Sequence, residues 1–231
     1  MKLKESVPLP ARMWVARARS LRSPADVLGR FRAGALRAYI AWSVRSNKWT
    51  RVAVGIGAQI HRGTSLHCND FRPGKRIVVG PRAFVDQYCF FSAGDLIDVG
   101  SDCLIGPGCH LLGAGHAYAD PTVAYAAAAV ISYGCLVLEP NVWLGAGVTV
   151  MGNVRIGFGS VVAAGSLVRE SVPPLCMVGG NPARILKLFD WTRRVWERVS
   201  ADPAELMQAL SRHVATVPTL DEFAARFGPS R

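Results

Sequence analysis

A six-residue repeat is the feature that most restricts how this chain can fold. Between residues 138 and 167 the sequence divides into five consecutive hexads, and position one of each is Leu, Ile or Val. These hexads read LEPNVW, LGAGVT, VMGNVR, IGFGSV and VAAGSL. The repeat also appears upstream as VGPRAF (79–84), VDQYCF (85–90), VGSDCL (99–104), IGPGCH (105–110) and LLGAGH (111–116), with a weaker start at IGAQIH (56–61). A fixed short period predicts one structural unit repeated along the chain.

The spacing inside each hexad indicates very short strands separated by corners. Position five and the next position one are two residues apart, so on a strand they share a face, as Val142 and Leu144 do. Positions two to four are mostly small or turn-forming, which suits a corner. One hexad cannot bury its aliphatic face alone, so successive hexads must wind and stack. The sequence therefore predicts a mainly β chain that folds as a parallel β-helix. A helix would need a period of 3.6, and a sandwich would show no fixed phase.

The chain divides into three segments. Residues 1–51 carry twelve Lys and Arg against two Asp and Glu, so that +10 of the net charge of +11 lies in this basic N-terminal arm. We expect the arm to be partly helical, because residues 24–49 place apolar side chains among arginines. Residues 52–184 form the predicted β-helix domain, and residues 185–231 are predicted to be a helical cap, with Asp202 and Pro203 beginning one helix.

Composition restricts the class of protein. Half of the residues are hydrophobic, which predicts a well-filled core, and the six cysteines include no CxxC pair. We expect these cysteines to be reduced core residues of a cytoplasmic protein, since the N-terminal region has no signal-peptide core. The basic arm also fits a peripheral contact with the anionic inner face of a membrane. Nucleic acid is not an expected partner, because no recognised binding module is visible.

The repeat is interrupted between residues 113 and 129, where the chain carries His116 and Asp120. Position six alternates with positions five and one, so its occupants should face outward; they include His110, His116 and Trp143. A solenoid has faces too smooth to enclose a substrate. An excursion from it would supply a wall, which makes this loop the predicted site.

The segment VWLGAGVTVMGNVRIGFGSVVAAGSLVRESVPPLCMVGGNPARILK (142–187) resembles the C-terminal half of hexapeptide-repeat acyltransferases. The nearest likeness is to bacterial O-acetyltransferases of exopolysaccharide and capsule synthesis. The resemblance implies a left-handed β-helix, a homotrimer, acetyl-CoA as acyl donor, and a sugar or polysaccharide precursor as acceptor. It covers residues 52–187, and the VPP…GGNPAR ending is its most specific part.

The resemblance also implies a catalytic residue. In this family a histidine at the start of such a loop deprotonates the acceptor hydroxyl, and GAGHAYAD (113–120) matches that placement, which makes His116 the expected general base. Imidazole suits this role because it titrates near neutral pH. Asp120 is expected to orient the ring or bind the sugar, or else only to begin the turn before Pro121. We interpret His110, one hexad earlier, as an ordinary surface histidine.

The remaining expected site residues face the donor. By resemblance the coenzyme A arm runs along small residues that permit close backbone approach, and arginines meet the nucleotide phosphates. The expected coenzyme residues are Gly145, Ala146, Ala164, Gly165, Arg169 and Arg184. Trp143 is expected near the pantetheine arm or the acceptor, or else in a subunit contact. The chain departs from many relatives at Glu170, where they have a lysine.

Three alternatives stay open at this point. The first is N-acetylation of an amino sugar, or acetylation of an antibiotic, on the same fold. A second is a zinc enzyme like the γ-class carbonic anhydrases, which would use His61, His67, His110 and His116. His61 and His67 are six residues apart, and so are His110 and His116. The two side chains of each such pair should therefore lie on different faces of a three-sided coil, so no metal is expected. The third is a non-catalytic scaffold.

Overall fold

The protein is a left-handed parallel β-helix, as the hexads and the resemblance predict. The computed structural model describes residues 51–68 and 76–227. The strands are β1 (Val52–Val54), β2 (Gln59–Ile60), β3 (Ser65–Cys68), β4 (Ile77–Val79), β5 (Phe84–Val85), β6 (Phe90–Ala93), β7 (Leu96–Val99), β8 (Leu104–Ile105), β9 (His110–Leu112), β10 (Ala114–His116), β11 (Val130–Ser132), β12 (Cys135–Leu138), β13 (Trp143–Leu144), β14 (Thr149–Met151), β15 (Val154–Ile156), β16 (Val161–Val162), β17 (Leu167–Val168), β18 (Cys176–Gly180), β19 (Ala183–Asp190) and β20 (Val195–Arg198). The helices are α1 (Pro203–Thr216) and α2 (Leu220–Ala224).

Three sheets form the sides of a prism. Sheet A contains β1, β4, β7, β12 and β15 in that order, and sheet C contains β3, β6, β9, β14 and β17. Sheet B contains β2, β5, β8, β13, β16 and β18, with β19 and β20 added at its end. Strands of successive coils pair in parallel, and Leu138 lies opposite Ile156, which is 18 residues or three hexads later. The chain turns at an AB, a BC and a CA corner in every coil, each named after the two sheets that it joins.

The core lies along the prism axis and follows the hexad phase. Val142, Leu144, Val148 and Val150 are fully buried, whereas Trp143 between them is 50% exposed. The predicted inward and outward positions are therefore confirmed. All six cysteines are free, and five of them are buried.

The corners require small residues because neighbouring coils stack closely there. A β-carbon on Gly145 would lie 2.6 Å from the backbone nitrogen of Ala164 in the next coil. No real β-carbon tolerates such a contact with backbone, so glycine is required at this BC corner.

The C-terminal cap differs in part from the prediction. Residues 185–199, predicted to be helical, instead form the antiparallel hairpin of β19 and β20 on the edge of β18. The open edge of β18 offers unpaired backbone groups, and pairing with them outweighs the helical preference of the sequence.

The two helices follow this hairpin. The predicted start of α1 is confirmed, since the Asp202 carboxylate accepts hydrogen bonds from the backbone N–H groups of Ala204 and Glu205. In α2, the Phe223 ring packs 4.7 Å from that of Phe158, centroid to centroid. The predicted cap is therefore half hairpin and half helix.

The proposed helix at residues 24–49 lies outside the described residues. In the described part, no helix is both long and apolar enough to cross a membrane.

Candidate active site

A protruding hairpin interrupts the solenoid at one CA corner. Strands β10 and β11 pair antiparallel, with His116 opposite Val130, and they leave the prism between β9 and β12. The excursion predicted at residues 113–129 lies here and continues to the end of β11. Its side chains from His116 onward are mostly exposed, so the hairpin projects into solvent.

His116 lies at the tip end of β10 with its ring exposed. Its Nδ1 lies 3.0 Å from the backbone carbonyl oxygen of Ala128 on the returning strand segment. A carbonyl oxygen only accepts hydrogen bonds, so this contact assigns the proton of the neutral ring to Nδ1. Nε2 then carries the lone pair, as a general base requires.

Asp120 begins a turn within the hairpin. One carboxylate oxygen accepts hydrogen bonds from the Thr122 hydroxyl at 2.7 Å and the Thr122 backbone N–H at 2.9 Å. These bonds lower the pKa of the Asp120 carboxyl. The partner of the His116 ring is the Ala128 carbonyl, and Asp120 serves the turn. Any contact between Asp120 and an acceptor stays a prediction.

A second group of predicted residues meets at the BC corner. Gly145 and Ala146 of one coil stack beneath Ala164 and Gly165 of the next, where Gly165 N–H donates to the Ala146 carbonyl at 2.9 Å. Ala146 and Ala164 are exposed. Neither of their N–H groups donates a hydrogen bond within the described residues. Two unused donors on a smooth corner suit an extended ligand that carries amide carbonyls.

Trp143 and Arg184 flank this BC corner. Trp143 is half-exposed on the outer face of sheet B, two residues before Gly145. Arg184 lies opposite Gly179 in the β18–β19 pair, and its exposed guanidinium donates to the Ala183 carbonyl.

Arg169 lies elsewhere. It follows β17 at a CA corner, so sheet C separates it from the BC corner. The structure therefore brings five of the six predicted coenzyme residues to one edge of the prism and leaves Arg169 on another edge.

The same separation applies to His116. The hairpin leaves the prism at the CA corner, and the width of sheet C lies between that corner and the BC corner. Within one chain, the predicted base and the predicted coenzyme residues thus occupy different edges.

Two features of the site had no signal in the hexads. One is the Ala128 carbonyl that fixes the His116 ring, because a backbone partner twelve residues away leaves no mark on residue type. The other is Tyr133, whose ring lies against Gly115 beside His116. The zinc alternative gains no support in residues 51–68 and 76–227, where no three His, Cys, Asp or Glu side chains are grouped to hold a metal.

Comparison with known proteins adds sequence relatives. The family described as "Bacterial transferase hexapeptide (six repeats)" matches residues 136–170. A Schizosaccharomyces pombe protein named as an acetyltransferase is 32% identical over 52% of this chain and 56% of its own length. WbbJ of Escherichia coli K12, named for O-acetyl transfer in lipopolysaccharide biosynthesis, is 27% identical over 63% of this chain and 77% of its own length. The chain thus spans little more than half of the yeast relative.

A hexapeptide-repeat acetyltransferase from Vibrio cholerae has a similar solved structure. In one crystal structure the aligned part is 34% identical to this chain, with a TM-score of 0.52, and covers 60% of this chain and 74% of the Vibrio chain. A second, in complex with acetyl-CoA, is 27% identical, with a TM-score of 0.53, over 80% and 92% of the two chains.

Proposed function

Because this chain belongs to the hexapeptide-repeat acetyltransferase family, we propose that it moves an acetyl group from acetyl-CoA to a hydroxyl of a sugar or polysaccharide precursor. The observation that carries the proposal is the fixed tautomer of His116, held by the Ala128 carbonyl at 3.0 Å. The likeness to WbbJ, named for O-acetyl transfer, supports a hydroxyl rather than an amine as the acceptor.

The reaction is direct transfer in a ternary complex. Nε2 of His116 accepts the proton of the acceptor hydroxyl as its oxygen attacks the thioester carbonyl. A backbone N–H stabilises the resulting oxyanion. When the C–S bond breaks, the imidazolium returns the proton to the departing thiolate. A cysteine nucleophile is not needed, and burial raises the pKa of the Cys103 and Cys176 thiols to about 12, which disfavours a thiolate.

The donor is proposed to lie along the BC corner. Its pantetheine amides would pair with the N–H groups of Ala146 and Ala164, beside Trp143. Arg184, further along the same edge, would meet the phosphates. Arg169 would contribute only if its CA corner faces the coenzyme of another subunit.

The separation of the two edges supports a trimer with shared sites. Sheet C keeps His116 away from its own BC corner, so we propose that the hairpin of one subunit reaches the BC corner of a neighbour. The exposed Trp143 and Leu104 on sheet B also favour a covered face.

Mixed trimers test this arrangement. His116→Ala and Ala164→Trp are each expected to be inactive alone, the second because the new ring would fill the donor corner. Coexpressed, they should regain roughly a quarter of the activity if sites lie between subunits. No regain in verified mixed trimers would place the whole site in one chain.

The basic arm is proposed to hold the enzyme against anionic membranes, where lipid-linked sugar acceptors would be found. Its charge of +10 supports this, and exposed charges of this kind are screened by salt. Full-length protein should sediment with anionic vesicles at low salt and be released at high salt. If it ignores the vesicles at low salt, the arm has no membrane role.

An acetyl-CoA-dependent thiol-release screen tests the function itself. A panel of sugars, amino sugars and chloramphenicol would be offered to the full-length protein. Thiol release with a sugar hydroxyl is expected. Release only with amines would favour N-acetylation, and calorimetry without acetyl-CoA binding would point to a scaffold.

A further inference from the structure

The hairpin that carries His116 has almost no buried surface of its own. Between His116 and Ala129, only Ala117 and Ala128 are even half-buried. A two-stranded hairpin without an apolar core is marginally stable in water. The direction in which it projects must therefore be fixed at its base.

Tyr133 lies at that base, directly after β11. Its side chain is half-buried, and its backbone N–H donates to the Gly113 carbonyl at 2.8 Å. A β-carbon built on Gly115 would lie 2.0 Å from the Tyr133 hydroxyl oxygen and 2.7 Å from its Cζ. The ring therefore fills the space that any side chain at residue 115 would need.

This contact is one residue away from the proposed base. Successive side chains of a strand point to opposite faces, so the ring on Gly115 supports the face of β10 that His116 does not use. The Ala128 carbonyl fixes the rotation of the imidazole, whereas the ring fixes the strand from which it projects.

We propose that Tyr133 is a positioning residue for acetyl transfer, which braces β10 through Gly115 and so sets where His116 Nε2 meets the acceptor. The inference rests on the proposed role of His116. Misplacing a catalytic group by about 1 Å can cost on the order of 10²-fold in rate. Loss of the brace should therefore lower turnover without weakening donor binding, because the proposed donor contacts are made by the BC corner and not by the hairpin.

The test uses the full-length protein. Tyr133→Ala should lower kcat by roughly 10- to 100-fold, with the acetyl-CoA dissociation constant from calorimetry unchanged. Tyr133→Phe keeps the ring and should stay within about twofold of the wild type. Phe223→Ala is the control: that ring also lies over a glycine, 3.0 Å from the β-carbon position of Gly159, but at an AB corner, away from both edges of the proposed site. It should leave kcat unchanged.

Two double variants separate positioning from a merely structural role. Gly115→Ala displaces the ring and should lower kcat much as Tyr133→Ala does. The double variant should match Tyr133→Ala rather than multiply the two losses. In a His116→Ala background, Tyr133→Ala should cause no further loss, because Tyr133 acts through the imidazole.

The outcomes distinguish a failure of the positioning role of Tyr133 from a failure of the proposed role of His116. Full turnover in Tyr133→Ala, while His116→Ala is impaired, overturns the positioning role alone. So does an equal further loss in the His116→Ala background. Unchanged turnover in His116→Ala removes the proposed base, and the brace inference with it.

Discussion

The BC corner and the protruding hairpin, which carry the two parts of the proposed site, differ in how firmly the rest of the protein holds them. The corner belongs to the solenoid, whose inward side chains, such as Leu144 and Val162, are fully buried. The hairpin has two strands of three residues each and an exposed tip that includes Tyr118 and Tyr125. One region offers backbone groups held by many neighbours, and the other offers a single side chain held by one carbonyl.

This difference suits the two substrates of the proposed reaction. A coenzyme that is the same in every turnover can be met by a rigid backbone edge. An acceptor that differs between relatives can be met by a projecting hairpin whose residues the core does not restrict. Variants in the two regions should therefore separate chemistry, stability and donor binding.

The largest effect is expected at the hairpin. His116→Ala should lower kcat by roughly 10²- to 10⁴-fold, because it removes the proposed general base. Acetyl-CoA affinity should be nearly unchanged, since the proposed donor contacts are made by Ala146, Ala164 and Arg184 and not by His116. His110→Ala is the control: the His110 ring lies edge-on to Phe90 on sheet C, with the centroids 6.4 Å apart, and this variant should retain most activity. Equal damage by both, with activity that follows bound zinc, would replace the acyltransfer mechanism by a metal enzyme.

The free energy of unfolding should depend more on the solenoid core than on the hairpin. Leu144→Ala, in the solenoid core, should lower the free energy of unfolding by about 2–5 kcal/mol through a cavity. Val123→Ala, exposed in the hairpin, should change it by less than about 0.5 kcal/mol. Urea unfolding followed by circular dichroism measures both. A comparable loss in Val123→Ala would mean that the hairpin is packed in the assembled protein.

The affinity for acetyl-CoA should fall when a charged side chain beside the BC corner is removed. Arg184→Ala should weaken acetyl-CoA binding about tenfold, with a smaller effect on kcat, since one charged contact to a phosphate is lost. Arg169→Ala sharpens the comparison because Arg169 lies at the CA corner. Isothermal calorimetry on both variants decides. An equal loss at Arg169 would show that the phosphates touch two edges, and hence two subunits.

The smallest effect is expected at the turn in the hairpin. In Thr122→Val the Asp120 carboxyl loses its hydroxyl donor and keeps the backbone one, so its pKa should rise part of the way to normal. A lowered pKa means that the turn is stabilised above the ordinary pKa and loses this stabilisation as pH falls through the lowered value. Carboxyl NMR titration of both proteins measures the change. An unchanged Asp120 pKa would show that the hydroxyl bond does not persist in solution.

The hexads predicted the solenoid because each coil repeats one steric rule. Position five and the next position one must fill the core, so Val148 and Val150 reveal their orientation through residue type alone. The prediction of a helix over residues 185–199 is wrong, because the strand pairing of this segment depends on the free edge of β18 and not on its own pattern.

The site was only partly predictable for the same reason. The phase of the repeat located the outward positions and the loop that carries His116, whereas the expected roles of His116 and of the BC corner residues came from the family resemblance. The contact of Tyr133 with Gly115, and the distance between the two edges, depend on where the chain goes after it leaves the coil. The pattern around Arg169 and Arg184 does not separate their roles, yet sheet C lies between the CA corner of Arg169 and the BC corner beside Arg184.

The pairing of β9 with β14 is not disturbed by the hairpin inserted between them in the sequence. His110, Leu111 and Leu112 align with Thr149, Val150 and Met151 in the ordinary parallel register, although the hairpin intervenes along the chain. The hairpin is therefore accommodated without a change in the register of the coils on either side of it. Under the proposed division of roles, a change confined to this hairpin would alter acceptor recognition and leave the BC corner unchanged.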